Sequence, residues 1–362
     1  MNNRIAWIDN VKMVAMLFVI IGHTWRIIHC DLPVWMSLFI GTFNMPLFVM
    51  MTGYTSVKSI DRIDNIIALR DYLIKITKRI LVPSAFFWSV AVILLTILKY
   101  AQFRTIENER IVELVLRALI VTLFVIGYYY RNGQKGKVLF NVLCICAIPI
   151  AIKGSSYWFL SMIWIVCSAV AIGSYITHKI RSWGGYLSLC ILSFGIYLIL
   201  SKTYTAIGAS VNIDCFVHYL LIGYALSKFK LFDYLYKYSI PLSAVFLVIG
   251  IASLGICDNP FNPISYIPSI TLSLFFMIMT KKLSSDYNRF SYWGAQTLAL
   301  YMVHAFIIYV CYKLPFTYTI EGVKYLLYAI PAAAIVTFMS MLIIKVLSRY
   351  EITRAYCLGE LK

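Results

Sequence analysis

Three residues near the start of the chain have types and spacing suited to group transfer: Asp9, Lys12 and His23. The stretch from Ile8-Asp9-Asn10-Val11-Lys12 to Ile21-Gly22-His23-Thr24 is otherwise apolar and reads as one helix. Eleven residues at about 100° each come to roughly 20° past three turns, so Lys12 and His23 share a face about 16 Å apart. A lysine at one end can hold a phosphate as a point charge. An imidazole at the other is the side chain that exchanges a proton near neutral pH. His23 then has two chemical uses, as a general base toward an attacking hydroxyl or as a nucleophile that carries an acyl group. Packing readings stand beside these: His23 hydrogen-bonds a neighbouring helix, and Lys12 snorkels to the headgroups. Asp9, three residues before Lys12, is placed either to hold the lysine or to act as a plain carboxylate at the helix N-terminus. A second basic group follows at Lys75, Lys78 and Arg79.

The elements that must position these groups are membrane spans. Of 362 residues 61% are apolar and 13% charged, which excludes a water-soluble domain of any size. Apolar blocks run Val11 to His29, Pro33 to Val57, Ile80 to Leu98, Leu114 to Tyr130, Val138 to Ile152, Phe159 to Ile176, Trp183 to Leu200, Ile213 to Phe229, Ile240 to Ile256, Tyr266 to Thr280, Thr297 to Tyr312 and Leu326 to Leu347. The expectation is an all-α polytopic transmembrane protein forming a single domain over 1–362, with twelve spans, or ten if Leu114 to Ile152 is a re-entrant or peripheral hairpin. The formal charge of +17 does not point to nucleic acid, because the basic residues sit in connections between apolar blocks rather than on one face of a domain. They read as topology signals and contacts with anionic membrane lipids. With the N-terminus inside, inner segments hold 23 of the 32 Lys and Arg, which puts both termini in the cytoplasm. Six of the nine cysteines lie inside apolar blocks as small hydrophobes, and no metal spacing is present.

Further landmarks follow in order: Phe43-Asn44-Met45-Pro46-Leu47-Phe48, Thr52-Gly53-Tyr54, Lys75-x-x-Lys78-Arg79-x-x-Val82-Pro83, Trp158-Phe159-Leu160, Ile222-Gly223-Tyr224 and Gly294-x-x-Thr297-Leu298-x-x-Tyr301-x-x-His304. Together with Asp9-x-x-Lys12 and Gly22-His23, this series resembles the acyltransferase 3 family of membrane O-acyltransferases, in the form of its fucose 4-O-acetylase-like members. The resemblance extends from Asp9 to His304. It implies an acyl-CoA-dependent acetyltransferase of a bacterial inner membrane, taking acetyl-CoA as acyl donor and a hydroxyl of a cell-surface or lipid-linked carbohydrate as acceptor. With it, His23, Asp9 and Asn44 become the catalytic candidates and Lys12, Lys75, Lys78 and Arg79 the donor-binding ones. By residue type, Tyr54 and Trp158 are substrate-binding candidates that could stack on a sugar or on adenine, or belong to an interfacial aromatic belt, and His304 has either a substrate-side role or a packing role against Tyr301. No metal is implied, and the oligomeric state is not addressed.

Two departures bear on mechanism. Asn44 stands where the family often has His, and Asn cannot exchange a proton near neutral pH. Thr52 stands where the family often has Ser. A different class, a secondary transporter or glycan exporter, would show two related halves with broken helices in matching positions. Here the ionisable residues concentrate in the first span and one basic connection. The charge asymmetry gives a direct test of topology. On a cysteine-free background, a cysteine at position 262 should label from outside the cell, and cysteines at 59 or 284 should not. The reverse pattern would turn the donor-binding cations to the wrong side.

Overall fold

The computed structural model describes residues 4–24, 34–103, 108–130, 141–142, 158–177, 182–191, 193–194, 215–257, 263–284, 286–313 and 324–358. Among them the architecture is all-α. The helices are α1 (Ala6–His23), α2 (Val34–Ile60), α3 (Ile66–Ile76), α4 (Val82–Phe103), α5 (Asn108–Tyr130), α6 (Trp158–Thr177), α7 (Cys215–Lys228), α8 (Leu231–Lys237), α9 (Ser239–Leu254), α10 (Tyr266–Leu283), α11 (Arg289–Gly294), α12 (Thr297–Lys313), α13 (Lys324–Leu347) and α14 (Glu351–Leu358). A π turn, Thr77–Leu81, joins α3 to α4.

Six helical stretches are long and apolar enough to cross a membrane: Ala6–His23, Val34–Ile60, Ile66–Ile97, Ile111–Tyr130, Trp158–Ile176 and Leu327–Leu347. A seventh is reached if α8 and α9, bent by 100° at Tyr238, count as one broken span. The protein is therefore a polytopic membrane protein. Other expected spans are either shorter, as α7 with 14 residues, or less apolar, as α10 with 18. Of the expected hairpin, Leu114 to Tyr130 is helical as α5, whereas Val138 to Ile152 lies outside the described residues except for 141–142. The basic connection after the second span is largely helix: α2 continues to Ile60, and α3 begins at Ile66 and runs into α4.

The chain divides into two compact units. The first holds Met1–Leu69, Ile165–Thr297 and Thr317–Ala334. Its tightest packing joins α2 to α7. A Cβ on Gly53 would lie 2.0 Å from the Leu220 carbonyl oxygen, and one on Gly223 would lie 1.9 Å from that of Met50. Each helix thus presents a glycine to the other's backbone. Lipid tails are as apolar as leucine, so such close approach replaces the hydrophobic effect as the source of packing energy. The crossing is flanked by an ionic tie: Asp61, just past α2, accepts a hydrogen bond from Tyr224 Oη at 2.6 Å and pairs with Lys228 Nζ.

The second unit holds Arg70–Trp164, Leu298–Phe316 and Ile335–Lys362. Residues 104–107 are too few to let α4 and α5 pack in parallel, so the two form an antiparallel hairpin, with Phe86 6.3 Å from Phe124. The short α14 closes it. Tyr356 stacks on Phe86 at 5.0 Å and donates its hydroxyl to the Phe124 carbonyl at 2.6 Å.

The glycine crossing predicts a stability hierarchy. Gly53→Ala and Gly223→Ala each drive a methyl into a backbone carbonyl that cannot rotate away, at a cost of about 1–3 kcal/mol or more. Gly184, whose Cβ would meet nothing within 4 Å, should accept Ala within about 0.5 kcal/mol. Thermal unfolding of the purified variants in detergent checks this. Equal midpoints for all three would refute the crossing.

Candidate active site

The sequence of α1 gives a helix with one enclosed stripe: Ile8, Val11, Ala15, Met16, Val19 and Ile20 are buried. Two polar residues of the first turns are buried with them. Asp9 is 5% and Asn10 6% exposed. Asp9 Oδ1 accepts from Lys12 Nζ at 3.3 Å, so the lysine is held by the carboxylate three residues before it, while its own side chain stays 26% exposed. Lys12 is thus a cation fixed in place by a carboxylate and partly exposed. His23 closes α1 as its last residue and is half-buried.

A segment absent from the sequence argument fixes the register of Asp9 and Lys12. Asn10 donates through Nδ2 to Ser284 Oγ at 2.8 Å and accepts at Oδ1 from Ser291 Oγ at 2.8 Å. Ser291 belongs to a capping box with Asn288 at the start of α11. At the end of that helix, a Cβ on Gly294 would lie 1.9 Å from the Asp9 carbonyl oxygen. The Asn-x-x-Ser spacing before Gly294 was the only signal of this clamp available in the sequence. Its partner, Asn10, lies 281 residues away.

Side-chain pairs set the levels of the other candidates in the first unit. Trp7 meets Tyr54 at 5.3 Å and Phe18 meets Phe43 at 5.0 Å, so α1 and α2 run antiparallel with paired residue numbers summing to about 61. His23 is then level with about Leu38, and Asn44 lies about six residues, roughly 9 Å, closer to the Lys12 end. Tyr54 is at the Trp7 end, at the opposite limit of α1 from His23. Its ring packs edge-on to Trp7 and Phe232. Lys281 crowns the same cluster, 5.4 Å from the Trp7 centroid and 4.3 Å from that of Tyr236, with its ammonium 3.2 Å from Asp233.

Asn44 has a visible backbone task. Pro46 lies inside α2 and lacks the N–H that would serve the Thr42 carbonyl. Ser269 Oγ donates to that carbonyl instead, at 2.6 Å. Beside the break, Asn44 Oδ1 accepts from the Met45 N–H at 2.6 Å. The side chain is 5% exposed.

The remaining candidates belong to the second unit. Lys75 and Arg79 are exposed and Lys78 half-buried, and the last two lie within the π turn. Pro83 explains that turn: its ring clashes with a regular helical carbonyl one turn back, and the wider turn accommodates it. Trp164 Nε1 donates to Thr77 Oγ1 at 2.9 Å, and Thr77 Oγ1 donates to the Leu73 carbonyl at 2.8 Å. An inserted residue rotates everything after it by about 100°, so this relay sets which way Lys78 and Arg79 point relative to Lys75. Trp158 meets Phe159 edge-on at 5.9 Å. His304 is fully buried, its Nδ1 2.9 Å from the Leu300 carbonyl and its ring 5.4 Å from Tyr301. The first unit thus gathers Asp9, Lys12, His23, Asn44 and Tyr54 along two helices, and the second gathers Lys75, Lys78 and Arg79 at one turn.

Comparison with known families places the chain clearly. The model of an acyltransferase domain, Acyl_transf_3, matches residues 5–345. No curated protein and no solved structure gives a match.

The Trp164 relay predicts a measurable local effect. Trp164→Phe keeps the ring and removes the donor, which should cost about 1 kcal/mol in thermal unfolding. Thr77→Val should cost a similar amount, and the double variant little more, because both break one relay. Additive losses would show that the two side chains do not act through each other.

Proposed function

Because the chain belongs to the Acyl_transf_3 family of acyltransferase domains, we propose that it moves an acetyl group from cytoplasmic acetyl-CoA to a hydroxyl of a cell-surface or lipid-linked carbohydrate, in a bacterial inner membrane. One observation carries the reading: an unbroken helix bears a half-exposed lysine held by a buried carboxylate, and a half-buried histidine stands on the same face about 16 Å further on. CoA has phosphates at one end and a thioester at the other, and needs a cation and a proton acceptor with that kind of separation.

In this reaction Lys12 holds donor phosphate as a point charge, and Lys75, Lys78 and Arg79 serve the same anionic end. A neutral His23 nitrogen accepts the proton of the acceptor hydroxyl as its oxygen attacks the thioester carbonyl carbon. The tetrahedral oxyanion collapses, the carbon–sulfur bond breaks, and the thiolate leaves with the proton from the imidazolium. The products are the O-acetyl ester and CoA with a free thiol. Asp9 positions Lys12. Asn44 contributes hydrogen bonding and no proton exchange, so a single histidine performs both transfers. Tyr54, Trp158 and His304 are the acceptor-side candidates.

Two substitutions test it with different readouts. Lys12→Arg should keep most activity, while Lys12→Ala should raise the apparent acetyl-CoA requirement about tenfold or more with a smaller change in kcat. His23→Gln retains hydrogen bonding but cannot take a proton, and should lose about 10²-fold or more in transfer with normal insertion and unchanged thermal unfolding. Radiolabelled acetyl transfer in proteoliposomes measures both. Near-wild-type transfer by His23→Gln would remove His23 from the mechanism, and unchanged acetyl-CoA dependence in Lys12→Ala would reduce Lys12 to an anchor.

A further inference from the structure

Among the cations of the second unit, Arg117 has a setting unlike those at the π turn. It lies six residues into the candidate span Ile111–Tyr130, about 9 Å from its start, on the enclosed side of a helix whose other faces are lined by exposed Val115, Leu116, Leu119 and Leu123. Its side chain is 13% exposed. Nη2 pairs with Glu113 Oε1 at 3.3 Å, and Glu113 itself is 52% exposed. Nη1 is buried and has no hydrogen-bond partner among the described residues. An arginine keeps its charge in any protein setting. Inside a membrane span such a charge is costly, and it is retained where it has an anionic group to meet. Half of this fork is matched by a carboxylate that water can reach, and half is matched by nothing among the described residues.

Its level along the hairpin narrows the ligand. Phe86 faces Phe124 in the antiparallel pair. Arg79 precedes Phe86 by seven residues and Arg117 precedes Phe124 by seven, so the two guanidinium-bearing positions lie at opposite levels, about 20 Å apart along the hairpin axis. An anion held by Arg117 is therefore a different anion from one held at the π turn. Arg117 is also reached from among apolar side chains rather than from a polar surface, which suits an anion carried on a hydrocarbon chain. We propose that Arg117 binds the phosphate of a lipid-linked carbohydrate acceptor, with its planar fork closing on two phosphate oxygens as Glu113 releases it. This rests on the acyl-transfer reading above and extends it to the class of acceptor: a sugar carried on a lipid phosphate.

The test uses the purified full-length chain in mixed micelles, with farnesyl phosphate as probe and farnesol as its uncharged counterpart. Wild type should bind farnesyl phosphate at least tenfold more tightly than farnesol. Arg117→Met, which fills the apolar volume without charge, should lose that preference, and Arg117→Lys should keep part of it. Arg117→Met should also unfold at the same temperature as wild type or higher, because it removes an incompletely matched buried charge. A retained preference in Arg117→Met overturns the proposal. So does a fall in unfolding temperature without loss of preference, which would make the arginine a structural ion pair. Equal competition by phosphatidylglycerol would overturn the acceptor assignment in favour of an ordinary headgroup contact, and equal competition by inorganic phosphate would overturn the requirement for a lipid chain. None of these readouts needs turnover, so a failure of acetyl transfer is distinguishable from a failure at Arg117.

Discussion

A backbone carbonyl in hydrocarbon has no water to bond, and every interruption of a helix must be answered by a side chain. Pro46 and Pro83 are two prolines whose helices need such an answer, and the answers organise the surroundings of the candidate residues. Pro46 deprives the Thr42 carbonyl of its helical donor. Ser269 replaces that donor, and the exchange binds α10 to α2 where Asn44 accepts from the neighbouring N–H. Pro83 forces the π turn, and the Thr77 hydroxyl with the Trp164 indole stabilises it at the two cations Lys78 and Arg79. In both places polar groups are retained in an apolar setting because the backbone needs them. Asn44 therefore has a reason to be polar that does not depend on proton exchange.

Glycine does comparable work between helices. Gly53, Gly223 and Gly294 each bring a backbone carbonyl of another helix to a distance that a methyl would occupy. The Gly294 contact falls on the carbonyl of Asp9, the residue that holds Lys12. With Asn10 bonded on both sides of its amide, the first turns of α1 have no freedom to slide or rotate. Placement of a charge at a membrane surface matters to within one turn of helix, since one residue along the axis is about 1.5 Å and 100°. The clamp supplies that placement for Lys12, and the continuity of α1 transmits it to His23.

Much of this was legible in the sequence, and the missing parts share a cause. Composition and block length give the all-α membrane class, and the Lys12 to His23 spacing gives one helix with both on a face, because these depend only on local periodicity. The motif order gives the family. Asp9 before Lys12 could be read as a holder or as a helix-end carboxylate, and the 3.3 Å contact is the holder. What periodicity cannot name is a partner far along the chain: Ser284 and Ser291 for Asn10, Ser269 for Thr42, and Trp7, Phe232 and Tyr236 around Lys281. The stretch from Lys58 to Arg79 is amphipathic by sequence, and its α3 is the helix that this pattern suggests; the π turn that carries it into α4 without ending is the part local periodicity does not show. Tyr54 invites stacking on a sugar by type alone, and the structure surrounds it with Trp7 and Phe232.

The first unit has three acid–base pairs, and the level between Lys12 and His23 is aromatic. The acids Asp9, Asp61 and Asp233 each hold a base, Lys12, Lys228 and Lys281 respectively. Between the Lys12 level and the His23 level lies a cluster of Phe18, Phe39, Phe43 and Phe276, with Phe43 and Phe276 stacked at 4.6 Å. Moving an ion through such a cluster is costly, because aromatic surface offers little in place of lost hydration. In the acyl-transfer reading proposed above, a lysine on one side of this aromatic layer suits the anionic end of an acyl-CoA, and the layer itself suits the uncharged thioester arm rather than the phosphates.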